Sequence, residues 1–275
     1  MKTQIILRKV HYAFSAFLCT ACLVSCNDWL KPEPLSFYSP ENTYVTKEGL
    51  EGALVSCRAM IRPEFIGNNS YACTELMTSD VAVAGNIVAQ TLKNFEIQLK
   101  PGAYGDSQIG TFWSKGYSAI QKANTIISRV QAADEITEND KNTILAEGYF
   151  HRSYWYYKLV NQFGDVPFID KEVTTPKLDF YSHTRSSILK RLREDMMFAT
   201  RYLPESAPHG AVSKAAGNHL LAKICLACCD FDGAVAATTA VIDHSQHKLM
   251  EKRFGVNISD AQYNIISCLL YTSDA

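Results

Sequence analysis

The thiol at position 26 is the residue whose surroundings specify its chemistry most narrowly. Lys2, Arg8 and Lys9 precede Tyr12 to Ser25, a 14-residue uncharged stretch of apolar and small residues that ends Leu23-Val24-Ser25-Cys26. A basic start, a short apolar run and small residues before a possible cleavage point describe an export signal. At about 1.5 Å rise per residue, a helix of that length reaches roughly 21 Å, short of the roughly 30 Å hydrocarbon core, so it makes a poor permanent span. The pattern around Cys26 is that of a bacterial lipobox, in which a diacylglyceryl thioether forms on the cysteine and cleavage makes it the new N-terminus. Each buried methylene of such an anchor contributes about 0.8 kcal/mol, so two or three acyl chains hold where one would not. The alternative is an ordinary signal peptide that happens to contain cysteines, since Cys19 and Cys22 lie in the same region.

A second group of residues suits ligand recognition. Tyr71 and Tyr104 sit among Asn68, Asn69, Asp80, Asn86 and Asp106 in a stretch without helical or strand periodicity. Flat rings accept the apolar face of a pyranose, while carboxylates and amides orient its hydroxyls. Tyr71, Asp80, Tyr104 and Asp106 are therefore candidate ligand-binding residues, although exposed loop tyrosines also occur without ligands.

Other chemistry finds little support. Ser187-Ile188-Leu189-Lys190 has the bare SxxK spacing of serine acyl-enzymes but lacks the companion motifs. His209, His219, His244 and His247 form no HExxH, and no GxSxG, GxGxxG or P-loop is present. Glu194 and Asp195 are adjacent in sequence and so fall on different helix faces, which prevents them from flanking a glycosidic bond. Cys225, Cys228 and Cys229 would share a helix face, yet no second CxxC completes a metal set, and small buried thiols explain them better. Removal of the leader and lipidation of Cys26 leave Cys57, Cys73, Cys225, Cys228, Cys229 and Cys268, too irregularly spaced to define a disulfide framework. The sequence thus predicts no catalytic residues, metal or cofactor. The charge is also unhelpful to a polyanion partner: beyond residue 25 there remain 24 basic and 28 acidic residues, net -4, which argues against nucleic acid.

The elements that must carry these residues are helical. After a tether with Pro32, Pro34 and Pro40, Thr46 can cap a helix with Leu50, Ala53, Leu54, Cys57, Met60 and Ile61 at spacings of three and four, ending before Pro63. Glu64 to Asp106 reads as long loops with short helical or extended pieces. A stripe from Trp113 through Tyr117, Ile120, Asn124 and Ile127 to Val130 predicts the next helix, and Thr137 with Asp140 opens another that Gly164 and Pro167 stop. Ser182 to Leu203 predicts a further helix. Ser213 caps a shorter one with Leu220, Leu221, Ile224 and Cys228 inward, and the last places Phe231, Ala234, Val235, Thr238, Val241 and Ile242 inward. These two, joined at Cys229-Asp230, span 32 residues, close to the roughly 34-residue tetratricopeptide unit. Small Ala222, Ala227 and Ala234 would let them approach closely. The dense aromatics Tyr149, Phe150, Tyr154, Trp155, Tyr156 and Tyr157 read as core packing. With no strand run of comparable length, the class is mainly α: tetratricopeptide-like stacked helix pairs with long loops.

Several of these segments occur together and in order: the leader with Cys26; Phe112-Trp113 through Tyr117 to Asn124; Ala146-Glu147-Gly148-Tyr149-Phe150 through Tyr156-Tyr157-Lys158-Leu159-Val160; Phe163-Gly164-Asp165-Val166-Pro167-Phe168-Ile169; and Val212-Ser213-Lys214-Ala215-Ala216 through Leu220-Leu221-Ala222-Lys223. In this combination the chain resembles the SusD/RagB family from the leader to about residue 245. The resemblance implies a SusD-like α/α superhelix and a surface lipoprotein of Bacteroidota, anchored in the outer membrane through its N-terminal lipid. It further implies a glycan or peptide ligand and a SusC-like TonB-dependent transporter as partner. It divides the chain into a signal peptide (1–25), a lipidated tether (26–45), a SusD-like helical domain (46–245) and an incomplete or non-native tail (246–275). Family members are substantially longer, continuing into a second half that supplies much of the ligand surface. The rival expectations are a surface glycoside hydrolase, which needs two carboxylates across a cleft, and a repeat scaffold that binds only protein.

Overall fold

The computed structural model describes residues 44–65, 108–133, 136–207 and 210–243. Cys26, Tyr71, Cys73, Asp80, Tyr104, Asp106 and the 246–275 tail lie outside them.

Helix α1 (Lys47–Ile61) begins where the Thr46 hydroxyl accepts a hydrogen bond from Gly49 N at 3.2 Å. It buries Leu50, Leu54, Cys57 and Ile61, one residue per turn along a single face. The α-helix ends before Pro63, as the sequence predicts. A 3₁₀ turn over Arg62–Glu64 accommodates the proline in its first turn and buries Glu64 completely.

Helices α2 (Gln108–Arg129) and α3 (Glu138–Phe163) pack together, α4 (Arg185–Tyr202) packs on α3, α5 (Lys214–Ala227) on α4 and α6 (Phe231–Ile242) on α5, while α1 lies against α2 and α3. Consecutive helices stacked as neighbours bury a continuous core, as the periodicity predicts. The approach of α2 to α3 is close enough that a Cβ on Gly148 would stand 3.1 Å from Ile127 Cγ1, so a side chain there would push the helices apart.

Two clusters form the core. The larger unites Phe112, Ile120, Phe150, Trp155, Leu159, Leu192 and Ile224 with their neighbours; the smaller gathers Leu50, Leu54, Cys57, Ile126, Val130 and Leu145 under α1. Phe150, Tyr154, Trp155 and Tyr156 are buried and Tyr149 and Tyr157 half-buried, so the aromatic run is indeed packing.

Capping follows the sequence closely. Thr137 Oγ1 accepts from Asp140 N at 3.2 Å and donates to Asp140 Oδ2 at 2.8 Å; Ser213 accepts from Ala216 N and Asp230 from Gly233 N. Three expectations need correction. Helix α4 starts at Arg185, because Thr184 is its cap and Ser182–His183 instead form a strand, β2, antiparallel to β1 (Val166–Pro167). Two-residue strands are too short to leave an alternation in sequence. In α6 only Ala234, Ala237 and Val241 are buried, on the side that packs against α5, whereas Phe231, Val235 and Ile242 are 64%, 65% and 69% exposed. Cys229, finally, is not on the face of α5. It lies beyond the helix end with φ +59°, while Cys229 N donates to Leu226 O and Asp230 N to Cys225 O, a Schellman closure with cysteine where glycine is usual.

Candidate functional site

The segment between α3 and α4 is the one long connection among the described residues, and side chains rather than a sheet hold it down. Gly164, at φ +75°, ends α3 and reverses the chain. From Pro167 to Val173 the backbone then runs over α2 and α3 with few main-chain partners of its own. Tyr117 Oη donates to Pro167 O at 2.8 Å, Ile169 N to Tyr156 Oη at 2.6 Å, Asn124 Nδ2 to Ile169 O at 2.7 Å and Arg152 Nη1 to Asp170 O at 3.0 Å. Farther on, Glu172 N donates to Ser128 Oγ, Arg129 grips the Glu172 carboxylate with both Nε and Nη2, and Gln121 Nε2 donates to Val173 O. These main-chain groups thereby find side-chain partners in place of a sheet neighbour.

The strap rests on buried charge. Arg152, nearly inaccessible on α3, donates through Nη2 to Asp195 Oδ2 of α4 at 2.5 Å and stands 4.9 Å from the Tyr149 ring. Glu64 is closed off by Lys158 Nζ at 2.6 Å and by the Tyr154 hydroxyl. Arg58 binds Glu147 through Nε at 2.6 Å and Nη2 at 2.9 Å, tying α1 to α3, while His151 Nε2 is 3.5 Å away from the same carboxylate. Burial alone would raise Glu147, but His151 and the bidentate Arg58 outweigh it and hold the carboxyl below the usual range. Burial pushes the neighbouring Cys57 thiol up to about 12 and raises the Tyr117 hydroxyl, so neither ionises near neutrality.

Between α2 and the far end of the strap opens a cleft of about 460 Å³. Ile120, Ile169 and Pro176 give it apolar walls; Gln121, Thr174 and Thr175 supply amide and hydroxyl groups. Lys177 and Phe180 stand at the cleft together, the ammonium 5.4 Å from the ring centroid. A space within the roughly 300–1,000 Å³ of small-molecule sites, apolar with a few polar groups, suits binding.

Of the sequence candidates, Tyr71, Asp80, Tyr104 and Asp106 cannot be placed against this cleft, since they lie outside the described residues. Ser187 and Lys190 are exposed, and Ser187 Oγ donates to Thr184 O within the N-terminal turn of α4. Glu194 is exposed and Asp195 buried, on separate faces as expected. Cys57, Cys225, Cys228 and Cys229 are free thiols, and among the described residues no group of three His, Cys, Asp or Glu is arranged for a metal. No described helix is long and apolar enough to cross a membrane. Sequence reasoning overlooked Asn124 and Arg152 as anchors. Their signal was present: an amide on an otherwise apolar stripe, and a guanidinium inside an aromatic run.

A family profile described as "Starch-binding associating with outer membrane", SusD-like, matches residues 50–226. SusD-like protein P2 of Formosa agariphila is 28% identical over 264 residues, covering 94% of this chain and 50% of that protein, and SusD-like protein P25 of the same organism is 24% identical, covering 96% and 50%. The chain thus spans about half the length of these curated relatives. Among solved structures, a laminarin binding SusD-like protein aligns with TM-score 0.65 at 22% identity over 73% of this chain and 46% of its own. The surface glycan-binding protein A from Bacteroides uniformis aligns with TM-score 0.62 at 18% identity over 74% and 48%.

Proposed function

Because this chain belongs to the SusD-like family, we propose that it is a non-catalytic surface lipoprotein that captures an oligosaccharide and passes it to a SusC-type TonB-dependent transporter in the outer membrane. The observation that carries this is the profile match across 50–226, nearly the whole described stack, to a family described as starch-binding at the outer membrane. The strapped cleft agrees with it in chemistry, offering apolar walls and hydroxyls with no pair of opposed carboxylates in its lining. The buried carboxylates of Glu64, Glu147 and Asp195 are each paired with a cation inside the helical stack, a commitment to structure.

The anchor in this proposal is Cys26, acylated after cleavage of residues 1–25. The tether holds the helical body at the bilayer surface, and attachment there raises the local concentration of captured sugar at the transporter, so moderate affinity suffices. The Tyr71, Asp80, Tyr104 and Asp106 group is proposed as part of the ligand surface. A peptide ligand would use the same presentation without cleavage.

Two measurements test the proposal. A palmitate analogue should label the wild-type protein in cells and fail to label Cys26→Ala; equal labelling of both removes the anchor. Protein beginning at Cys26, applied to an oligosaccharide array, should retain at least one class of glycan; silence toward every sugar, with transporter binding kept, leaves a protein scaffold instead.

A further inference from the structure

We infer that the cleft between α2 and the 169–180 segment is a subsite for a negatively charged sugar, a pyranoside bearing a carboxylate or sulfate, and that Lys177 selects the charge. The inference rests on the saccharide-binding proposal above and adds to it a place and a charge class.

Four features carry it. First, the wall of the cleft formed by α2 and residues 169–173 is preformed: Gln121 Nε2 fixes Val173 O, Asn124 and Tyr156 fix Ile169, and the doubly bonded Arg129–Glu172 pair fixes the turn between them. Second, the Thr174 and Thr175 hydroxyls at the cleft have no hydrogen-bond partner among the described residues, leaving donors and acceptors for sugar hydroxyls. Third, Ile120, Ile169 and Pro176 provide apolar contact of the kind a pyranose face accepts.

The fourth feature is charge. Lys177 is the single charged residue in the lining, with the Asp179 carboxylate just beyond it. Its ion pair with Asp179 is 4.0 Å long, with both side chains at least half exposed, and a pair of that kind contributes little. The ammonium also stands 5.4 Å from the Phe180 ring centroid, a cation–π contact at the cleft. A cation whose carboxylate partner is distant and solvent-exposed can exchange it for a ligand anion, and beside free hydroxyls it favours an anionic sugar over its neutral counterpart.

The test is calorimetric titration of the protein beginning at Cys26 with a galacturonic acid trisaccharide, its methyl ester and a sulfated galactose trisaccharide. The wild type should bind at least one of the two anionic sugars more tightly than the ester, and added salt should weaken that binding while sparing the ester. Lys177→Gln should cost about tenfold for the preferred anion and leave the ester unchanged, and Lys177→Arg should restore most of the preference. Phe180→Ala should weaken acid and ester together. Equal affinity for anion and ester, or a Lys177→Gln variant that binds as the wild type does, overturns the charge assignment. If other oligosaccharides bind and both variants bind them unchanged, the sugar sits elsewhere, and the subsite fails while the saccharide-binding proposal stands. If no oligosaccharide of any class binds, both fail. Unaltered circular dichroism of each variant separates these results from loss of the fold.

Discussion

Arg152 and Asp195 meet at 2.5 Å across the α3–α4 contact, both almost wholly withdrawn from water. The same guanidinium reaches Asn124 Oδ1 at 3.3 Å and the Asp170 carbonyl at 3.0 Å, so one side chain couples two helices, a third through Asn124 and the strap. Truncating it leaves a buried carboxylate with only the half-exposed Arg191, at 3.3 Å, as partner. Arg152→Met should therefore destabilise the fold by about 3–5 kcal/mol in urea unfolding, and Arg152→Met with Asp195→Leu should recover much of the loss. A single variant as stable as the wild type would show that the pair braces nothing.

The strap itself can be probed at one atom. Tyr156→Phe removes the oxygen that accepts from Ile169 N at 2.6 Å and leaves that amide without its partner, at about 1–3 kcal/mol. Hydrogen exchange at Ile169 should accelerate while exchange in the middle of α3 stays slow. Unchanged exchange at Ile169 would mean that the segment is held without Tyr156.

Cys229 occupies the left-handed region at φ +59°, where a β-carbon costs about 1–2 kcal/mol and glycine nothing. Cys229→Gly keeps both closing hydrogen bonds and should raise stability by about 1 kcal/mol, read as a few degrees in Tm. A lowered Tm would show that the thiol makes a contact worth more than the strain.

Acid should loosen the α1–α3 junction. Glu147 is held below its ordinary value of 4.5 in the folded chain, so its contribution is fully present above that pH and is lost as pH falls through the lower folded value. Glu147→Gln is less stable near neutrality because Arg58 loses its bidentate partner. The gap between wild type and variant should close as pH falls below the ordinary value of 4.5. A gap that stays constant through acid would detach the carboxylate from the pH dependence.

The helices were legible because their signals are local. Thr46, Thr137, Ser213 and Asp230 sit where caps belong, and the stripes through Ile120 and Leu192 bury as spaced. What the sequence concealed depends on distant partners. Glu64 looks like the first residue of a polar loop until Lys158, 94 positions away, closes on it. Asn124 looks like an imperfection in an apolar stripe until the Ile169 carbonyl arrives. The inward face predicted for Phe231 and Ile242 failed for the same reason: periodicity finds an apolar face, but only the neighbouring element decides whether it is covered. The cleft, assembled from α2 and residues some fifty positions later, has no local signature at all.

The central claim is that this protein holds sugar and does not cut it. The most direct measurement is calorimetric titration of the protein beginning at Cys26 with the oligosaccharides an array identifies, followed by chromatography of the recovered sugar after prolonged incubation. Saturable binding with the ligand returned at its original length is the predicted result. Shorter products, or a reducing end gained with time and protein concentration, would contradict it.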